Sequence, residues 1–203
     1  MALTIYGSPR SRTMRVLWMA EELGLEFAHE PLEWDDPRLK SPEFLELNPA
    51  GTIPTIEDDG GGLSESLAIN LYLAKKHGLG GLYPTTLEGE AQVWRWSLWA
   101  QGELEPWLQR ETRETATEPT LAELVRPAIQ QALAKLERAL EGRDWLVGEA
   151  FSVADCNVAC VLSPSRTDHL DLSAHPAISR WLSRCYARPA ALTARQRHAA
   201  QSG

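Results

Sequence analysis

The spacing of apolar and polar positions changes character part-way along this chain. Leu3 to Tyr6 reads as a short strand, which Gly7-Ser8-Pro9 breaks. From Arg12 the apolar positions Val16, Leu17, Ala20 and Leu23 recur at helical spacing, and Gly24 ends the run. Phe27 to Leu32 reads as a second strand. Strand, helix and strand within about thirty residues is a βαβ unit, which implies a parallel pair and a right-handed crossover. Ser41-Pro42-Glu43 starts a short helix, with serine at the cap and proline at the first position, and Asn48-Pro49 stops it. Thr55 to Glu57 and Leu63-Ser64 flank Asp58-Asp59-Gly60-Gly61-Gly62, a hairpin signal with extra glycines. A helix from about Ser66 to Lys76 carries Leu67, Asn70, Leu71 and Ala74 along one side and closes at His77-Gly78.

Leu79 to Leu87 contains Gly80, Gly81 and Pro84 and reads as a linker. Beyond it helical periods dominate. One long helix is expected from Glu88 to Glu114 and a second from Leu121 to Leu140. A third starts at Ser152, where Ser152-Val153-Ala154-Asp155 is a capping box with Asp in place of Glu and Phe151 is set for the hydrophobic staple. Pro164 falls at the end of that helix and predicts a bend. A fourth helix follows His175-Pro176, with Ile178, Trp181, Leu182 and Cys185 on one face. The expected architecture is an α/β domain of order βαβ-ββα over residues 1–78, a linker over 79–87, and an all-helical domain over 88–203.

Composition narrows the function classes. At 203 residues with 43% hydrophobic content, the chain can build a real core. A formal net charge of -8 argues against broad binding to nucleic acid or anionic membranes. Arg10, Arg12 and Arg15 nonetheless cluster near the start, so a local anion site is compatible with the overall charge. No secretory signal or membrane-spanning run is visible. The three cysteines, Cys156, Cys160 and Cys185, are too few for a disulfide framework and favour a reducing compartment, the cytoplasm. No Cys-x-x-Cys or histidine pair supports a metal site around them, so none is expected.

The order of elements resembles the cytosolic glutathione transferase family over nearly the whole chain. The residues that carry the resemblance are Tyr6-Gly7-Ser8-Pro9-Arg10-Ser11, Asn48-Pro49-Ala50-Gly51-Thr52-Ile53-Pro54, Glu65-Ser66, Leu82-Tyr83-Pro84, Phe151-Ser152-Val153-Ala154-Asp155 and Arg188-Pro189-Ala190. The resemblance implies a thioredoxin-like first domain that binds glutathione and a helical domain that contributes the electrophile site. It implies a cis bond between Ile53 and Pro54, which turns the Ile53 backbone outward to pair with a peptide as an added strand. Glu65-Ser66, at a helix start, suits the ammonium and carboxylate of the γ-glutamyl end. Lys40 is the candidate for the glycine carboxylate. Thr52 belongs to the same segment but is shorter than the Gln or Lys that several classes place there.

The implied reaction needs the glutathione thiol as a thiolate. Tyr6, Ser8, Ser11 and Thr13 are the hydroxyl candidates, and plant-type serine transferases, resembling phi- and tau-like members, carry theirs at the offset of Ser11 from the glycine. Ser11 is therefore the expected activator, as a hydrogen-bond donor that forms no covalent intermediate. Ser8, Arg12, Trp107 and Arg110 are the candidates for the electrophile pocket. The expected function is a homodimeric glutathione S-transferase acting on small electrophiles in detoxification, with glutathione as co-substrate and no prosthetic group, metal or nucleic acid. The alternatives are a glutathione-dependent peroxidase or disulfide reductase, or a non-catalytic glutathione-binding protein of the same fold.

Overall fold

The computed structural model describes residues 3–113, 121–167 and 170–200. Two compact units divide the chain, one running to Tyr83 and resuming at Ala187, the other from Pro84 to Tyr186. The first unit begins β1 (Leu3–Tyr6), α1 (Thr13–Glu22), β2 (Phe27–Glu30), a 3-10 turn (Pro37–Lys40), α2 (Pro42–Leu47), β3 (Thr55–Asp58), β4 (Gly61–Ser64) and α3 (Ser66–His77). The sheet order is β2-β1-β3-β4. β1 runs parallel to β2, with Leu3 opposite Phe27, and antiparallel to β3, with Ile5 opposite Ile56. The parallel pair follows from the α1 crossover and the antiparallel β3–β4 pair from the tight glycine hairpin. β2 stops at Glu30, two residues short of the expected end, because Pro31 has no N–H to give a ladder.

Alternation along β1 sorts its side chains. Leu3 and Ile5 are buried while Thr4 and Tyr6 are half-buried. Ile5, Ile56, Val16 and Leu17 of α1, and Ile69 and Leu73 of α3 are fully buried, each worth roughly 1.5–3 kcal/mol on folding. Tyr6 points to the other face, where its ring meets Phe44 of α2 edge-on at 5.6 Å.

The second unit comprises α4 (Leu87–Trp99), a π-helical turn (Ala100–Leu104), α5 (Glu105–Arg113), α6 (Ala122–Leu140), α7 (Val153–Val161), α8 (Pro164–Thr167) and α9 (Pro176–Tyr186). Thr86 caps α4, its Oγ1 accepting from the Gly89 N–H at 3.1 Å. The single helix expected from Glu88 to Glu114 is interrupted over its described length. Pro106 cannot donate to the Gly102 carbonyl, and the helix widens through Ala100–Leu104 just before it. Pro164 does not bend α7, which has already ended at Val161; the proline opens the next short helix instead.

All nine residues of α7 are buried, so no face of this helix meets solvent. Asp155 anchors it. One carboxylate oxygen accepts from the Leu146 N–H at 2.8 Å and the Trp181 Nε1–H at 2.9 Å, and the other from the Ser152 N–H and hydroxyl, both at 2.9 Å. Burial pushes this carboxyl's pKa up, and the four donors pull against that shift.

The last described helix, α10 (Pro189–Ala200), packs along α1 and belongs to the first unit, whereas the sequence division placed it with the helical domain. Arg188 grips Glu22 with Nε and Nη2, both at 2.7 Å, and Arg197 reaches Glu21 at 2.7 Å. Glu22 also accepts from Trp18 Nε1 at 2.9 Å. The acidic end of α1 thus recruits two arginines from a segment more than 160 residues away.

Replacing Asp155 with alanine orphans four donors at a buried position. The expected loss is about 3 kcal/mol or more, read as a fall in urea midpoint. A loss below about 1 kcal/mol would remove Asp155 from this role.

Candidate functional site

Three segments of the first unit close on Gly7. Its N–H donates to the Glu30 carbonyl at 2.8 Å, and its own carbonyl lies 2.9 Å from His29 Nε2. Its φ is +131, which L side chains rarely adopt. A Cβ there would overlap Thr13 Oγ1 and stand 2.9 Å from the Ile53 Cβ. The end of β1, the first turn of α1 and the turn before β3 therefore meet at a position where only glycine fits.

The four hydroxyl candidates occupy different settings. Tyr6 donates to Glu57 Oε2 at 3.1 Å on the sheet face toward α2, and burial followed by Glu57 raises its pKa. Ser8 is fully buried and its Oγ accepts from the Arg10 N–H at 3.2 Å, so its hydroxyl forms the turn. Thr13 is fully buried. Ser11 is half-buried, its Oγ 2.8 Å from the Ser8 carbonyl, 2.9 Å from Thr13 Oγ1 and 3.1 Å from the Thr13 N–H that it accepts. Ser11 thus combines an approachable hydroxyl with a place at the α1 N-terminus. Arg12, the next residue, is exposed.

The Ile53–Pro54 bond is cis. Asn48, which is buried, holds this turn: its Nδ2 lies 3.0 Å from the Thr52 carbonyl, 3.3 Å from Thr52 Oγ1 and 2.9 Å from Thr55 Oγ1. The Ile53 backbone N–H donates to no described residue, and its carbonyl accepts from none. Lys40 reaches the same loop, donating to the Gly51 carbonyl at 3.1 Å and the Ala50 carbonyl at 3.3 Å.

Glu65 precedes α3 with φ 72 and ψ 106, an unusual conformation for a non-glycine residue that stores roughly 1–3 kcal/mol of strain. Its side chain is exposed, while Ser66 is buried. Behind Ser66 lies Arg15, only 4% exposed, with Nη1 3.4 Å from Ser66 Oγ. The Arg15 carbonyl accepts from Asn70 Nδ2 at 3.3 Å. By sequence alone Arg15 belongs to an N-terminal basic cluster, which does not predict this burial. The signal was present, an arginine inside the otherwise apolar stretch from Met14 to Ala20.

Trp107 and Arg110 lie on α5 in the second unit, the guanidinium 5.2 Å from the centre of the Trp107 ring. Trp96 and Trp99 are core residues that meet edge-on at 5.2 Å. The first unit also carries a cleft of about 740 Å³ that the sequence did not announce. Tyr6, Phe44, Glu30, Glu43, Glu46 and Glu57 are among its walls, and it shares no residue with the glutathione candidates.

The family model of the glutathione S-transferase N-terminal domain matches residues 9–76, and that of the glutathione S-transferase C-terminal domain matches residues 103–189. The chain belongs to the glutathione S-transferase family. Among its relatives is the Escherichia coli protein named disulfide-bond oxidoreductase YfcG, 32% identical over 93% of this chain and 92% of that one. Glutathione S-transferase 3 of Zea mays is also 32% identical, over 93% of this chain and 90% of that one. A solved glutathione S-transferase from Pseudomonas fluorescens superposes with a TM-score of 0.79 at 28% identity, covering 94% of this chain and 97% of that one. The expected glutathione transferase fold, a mixed four-stranded domain followed by helices, is met.

Two glycines of this transferase test the close approach at the site. Gly7 and Gly24 both have positive φ, but a Cβ at Gly24 would meet nothing within 4 Å. Gly24→Ala should cost about 1 kcal/mol and Gly7→Ala at least about twice that, with loss of activity. Equal thermal shifts for the two variants would sink the account of Gly7.

Proposed function

We propose that this family member is a glutathione transferase whose Ser11 hydroxyl donates a hydrogen bond to the glutathione thiolate. The observation that carries the reading is the setting of Ser11. Of the four hydroxyls it is the one that is half-open at the start of α1, while Ser8 and Thr13 are buried and Tyr6 is engaged with Glu57. A free thiol titrates near about 8.5, and holding it as a thiolate two units lower takes about 2.7 kcal/mol. A hydrogen bond to a charged acceptor supplies roughly 1.5–3 kcal/mol, and the α1 N-terminus roughly 0.3–1. The thiolate then attacks the electrophilic atom of the second substrate.

Glutathione itself is held by backbone and by charge. The N–H and carbonyl of Ile53, before the cis bond to Pro54, have no hydrogen-bond partner among the described residues, and they pair with the cysteinyl backbone, with Thr52 alongside. Glu65 takes the γ-glutamyl ammonium. Ser66 and the α3 N-terminus take its carboxylate, and the buried Arg15 charge behind Ser66 adds to their pull. Lys40 takes the glycine carboxylate. Arg12, with Ser8 setting its loop, is the electrophile-side candidate of the first unit, and Trp107 and Arg110 on α5 are those of the second. No prosthetic group is needed for these steps.

Disulfide reduction is the second reading, favoured by the name of the Escherichia coli relative. Both readings use the thiolate at Ser11, so a paired assay with chlorodinitrobenzene and with a mixed disulfide of glutathione separates them. The cytoplasm is the proposed compartment; among the described residues no helix is long and apolar enough to cross a membrane.

We also propose a homodimer. α4 leaves Leu87, Trp94 and Leu98 exposed by 75%, 50% and 67%, an apolar stripe at helical spacing whose burial needs a partner.

Ser11→Ala should lower kcat/KM about 10- to 100-fold while glutathione affinity falls little, and the pH profile should move up. Near wild-type turnover by this variant would discard Ser11 as the donor. Sedimentation of Trp94→Glu should show a monomer where the parent protein is a dimer. A Trp94→Glu dimer as tight as the parent would place the contact elsewhere.

A further inference from the structure

We infer that Thr13 is a positioning residue that fixes the direction of the Ser11 proton. This rests on the reading of Ser11 as the thiolate's donor. The Thr13 hydroxyl is fully buried, and Ser11 Oγ, at 2.9 Å, is the one acceptor it has among the described residues. A buried hydroxyl that withholds its proton loses a hydrogen bond with no water to replace it. Thr13 Oγ1–H therefore donates to Ser11.

The rest of the network follows by counting protons. A serine oxygen accepts two hydrogen bonds and donates one. Ser11 Oγ accepts from Thr13 Oγ1–H and from the Thr13 N–H at 3.1 Å, so both lone pairs are filled. Its single proton goes to the Ser8 carbonyl at 2.8 Å. Two donors into one oxygen polarise its O–H bond, which makes Ser11 a stronger donor than an isolated serine. The resting acceptor is also expendable, because the Ser8 carbonyl already accepts the Ser11 N–H at 2.9 Å. Ser11 can swing its proton from that carbonyl to a thiolate without orphaning a buried group.

Gly7 completes the device. A side chain there would occupy the place of Thr13 Oγ1, so the missing Cβ is what admits the second hydroxyl beside Ser11. Thr13, a rival to Ser11 when read from the sequence, becomes its support.

The test uses the intact protein with glutathione and chlorodinitrobenzene. Thr13→Val removes the hydroxyl and keeps the shape; Thr13→Ser keeps the hydroxyl; Ser11→Ala is the reference. The expected result for Thr13→Val is a fall in kcat/KM of about three- to tenfold, an upward move of its pH profile, and an unchanged KM for glutathione. Thr13→Ser should restore both rate and profile. If Thr13→Val fails to fold, Thr13→Ala is judged by the same pH profile against Thr13→Ser. Wild-type behaviour of Thr13→Val beside an impaired Ser11→Ala overturns the role of Thr13 alone. Equal losses in Thr13→Val and Thr13→Ser with an unmoved pH profile also overturn it, since they describe packing. An active Ser11→Ala overturns the Ser11 reading and this inference with it.

Discussion

The close approach at Gly7 is the constraint on which the candidate site depends. A strand end, a helix start and a cis-proline turn come from three separate stretches of sequence, and only contact at one point puts their polar groups on a common side. A residue without Cβ lets Thr13 and Ile53 reach the β1 backbone. Bonds from Glu30 and His29 of β2 then hold that backbone in an orientation other residues avoid. The conformational restriction falls on a segment already anchored in the parallel β1–β2 pair, so ordering it takes little further entropy.

An acidic chain can still concentrate at one place a few groups that favour an anion. Many of the carboxylates behind the net charge of -8 are exposed, where solvent and salt screen them. Arg15 is almost wholly withdrawn from solvent and stands behind Ser66, where its charge is screened far less. The helix N-termini of α1 and α3 add partial positive charge at Ser11 and Ser66. The strained Glu65 backbone belongs to the same logic: an unfavourable conformation is retained where it presents an exposed carboxylate beside a buried serine.

Much of this was legible in the sequence because the signals are local. The strand of Leu3–Tyr6, the capped helix after Ser41, the glycine hairpin and the Ser152–Asp155 box each depend on residues within a few positions of one another, and each formed as read. What escaped depends on distant partners or on a single missing donor. Pro106 was visible, but whether a helix kinks, stops or widens at a proline is decided by what surrounds it; here it widens. The return of α10 to α1 turns on Glu21 and Glu22 meeting Arg197 and Arg188, a pairing no periodicity encodes. Arg15 looked like one more basic residue because burial is invisible in composition.

The hydroxyls near the start of α1 show the same limit at the scale of one proton. Tyr6, Ser8, Ser11 and Thr13 are equivalent as residue types, since each offers an O–H. Packing makes them unequal. β-strand alternation sends Tyr6 to the α2 face, and the turn consumes Ser8. The first turn of α1 points Thr13 inward against Gly7 and leaves Ser11 at the edge. A hydroxyl donor is modest beside a metal ion or a neighbouring cation, so its value to a thiolate depends on a proton that can leave its resting acceptor and on lone pairs already occupied. That condition belongs to the fold, and it is why a common serine at a helix start can be more than a cap.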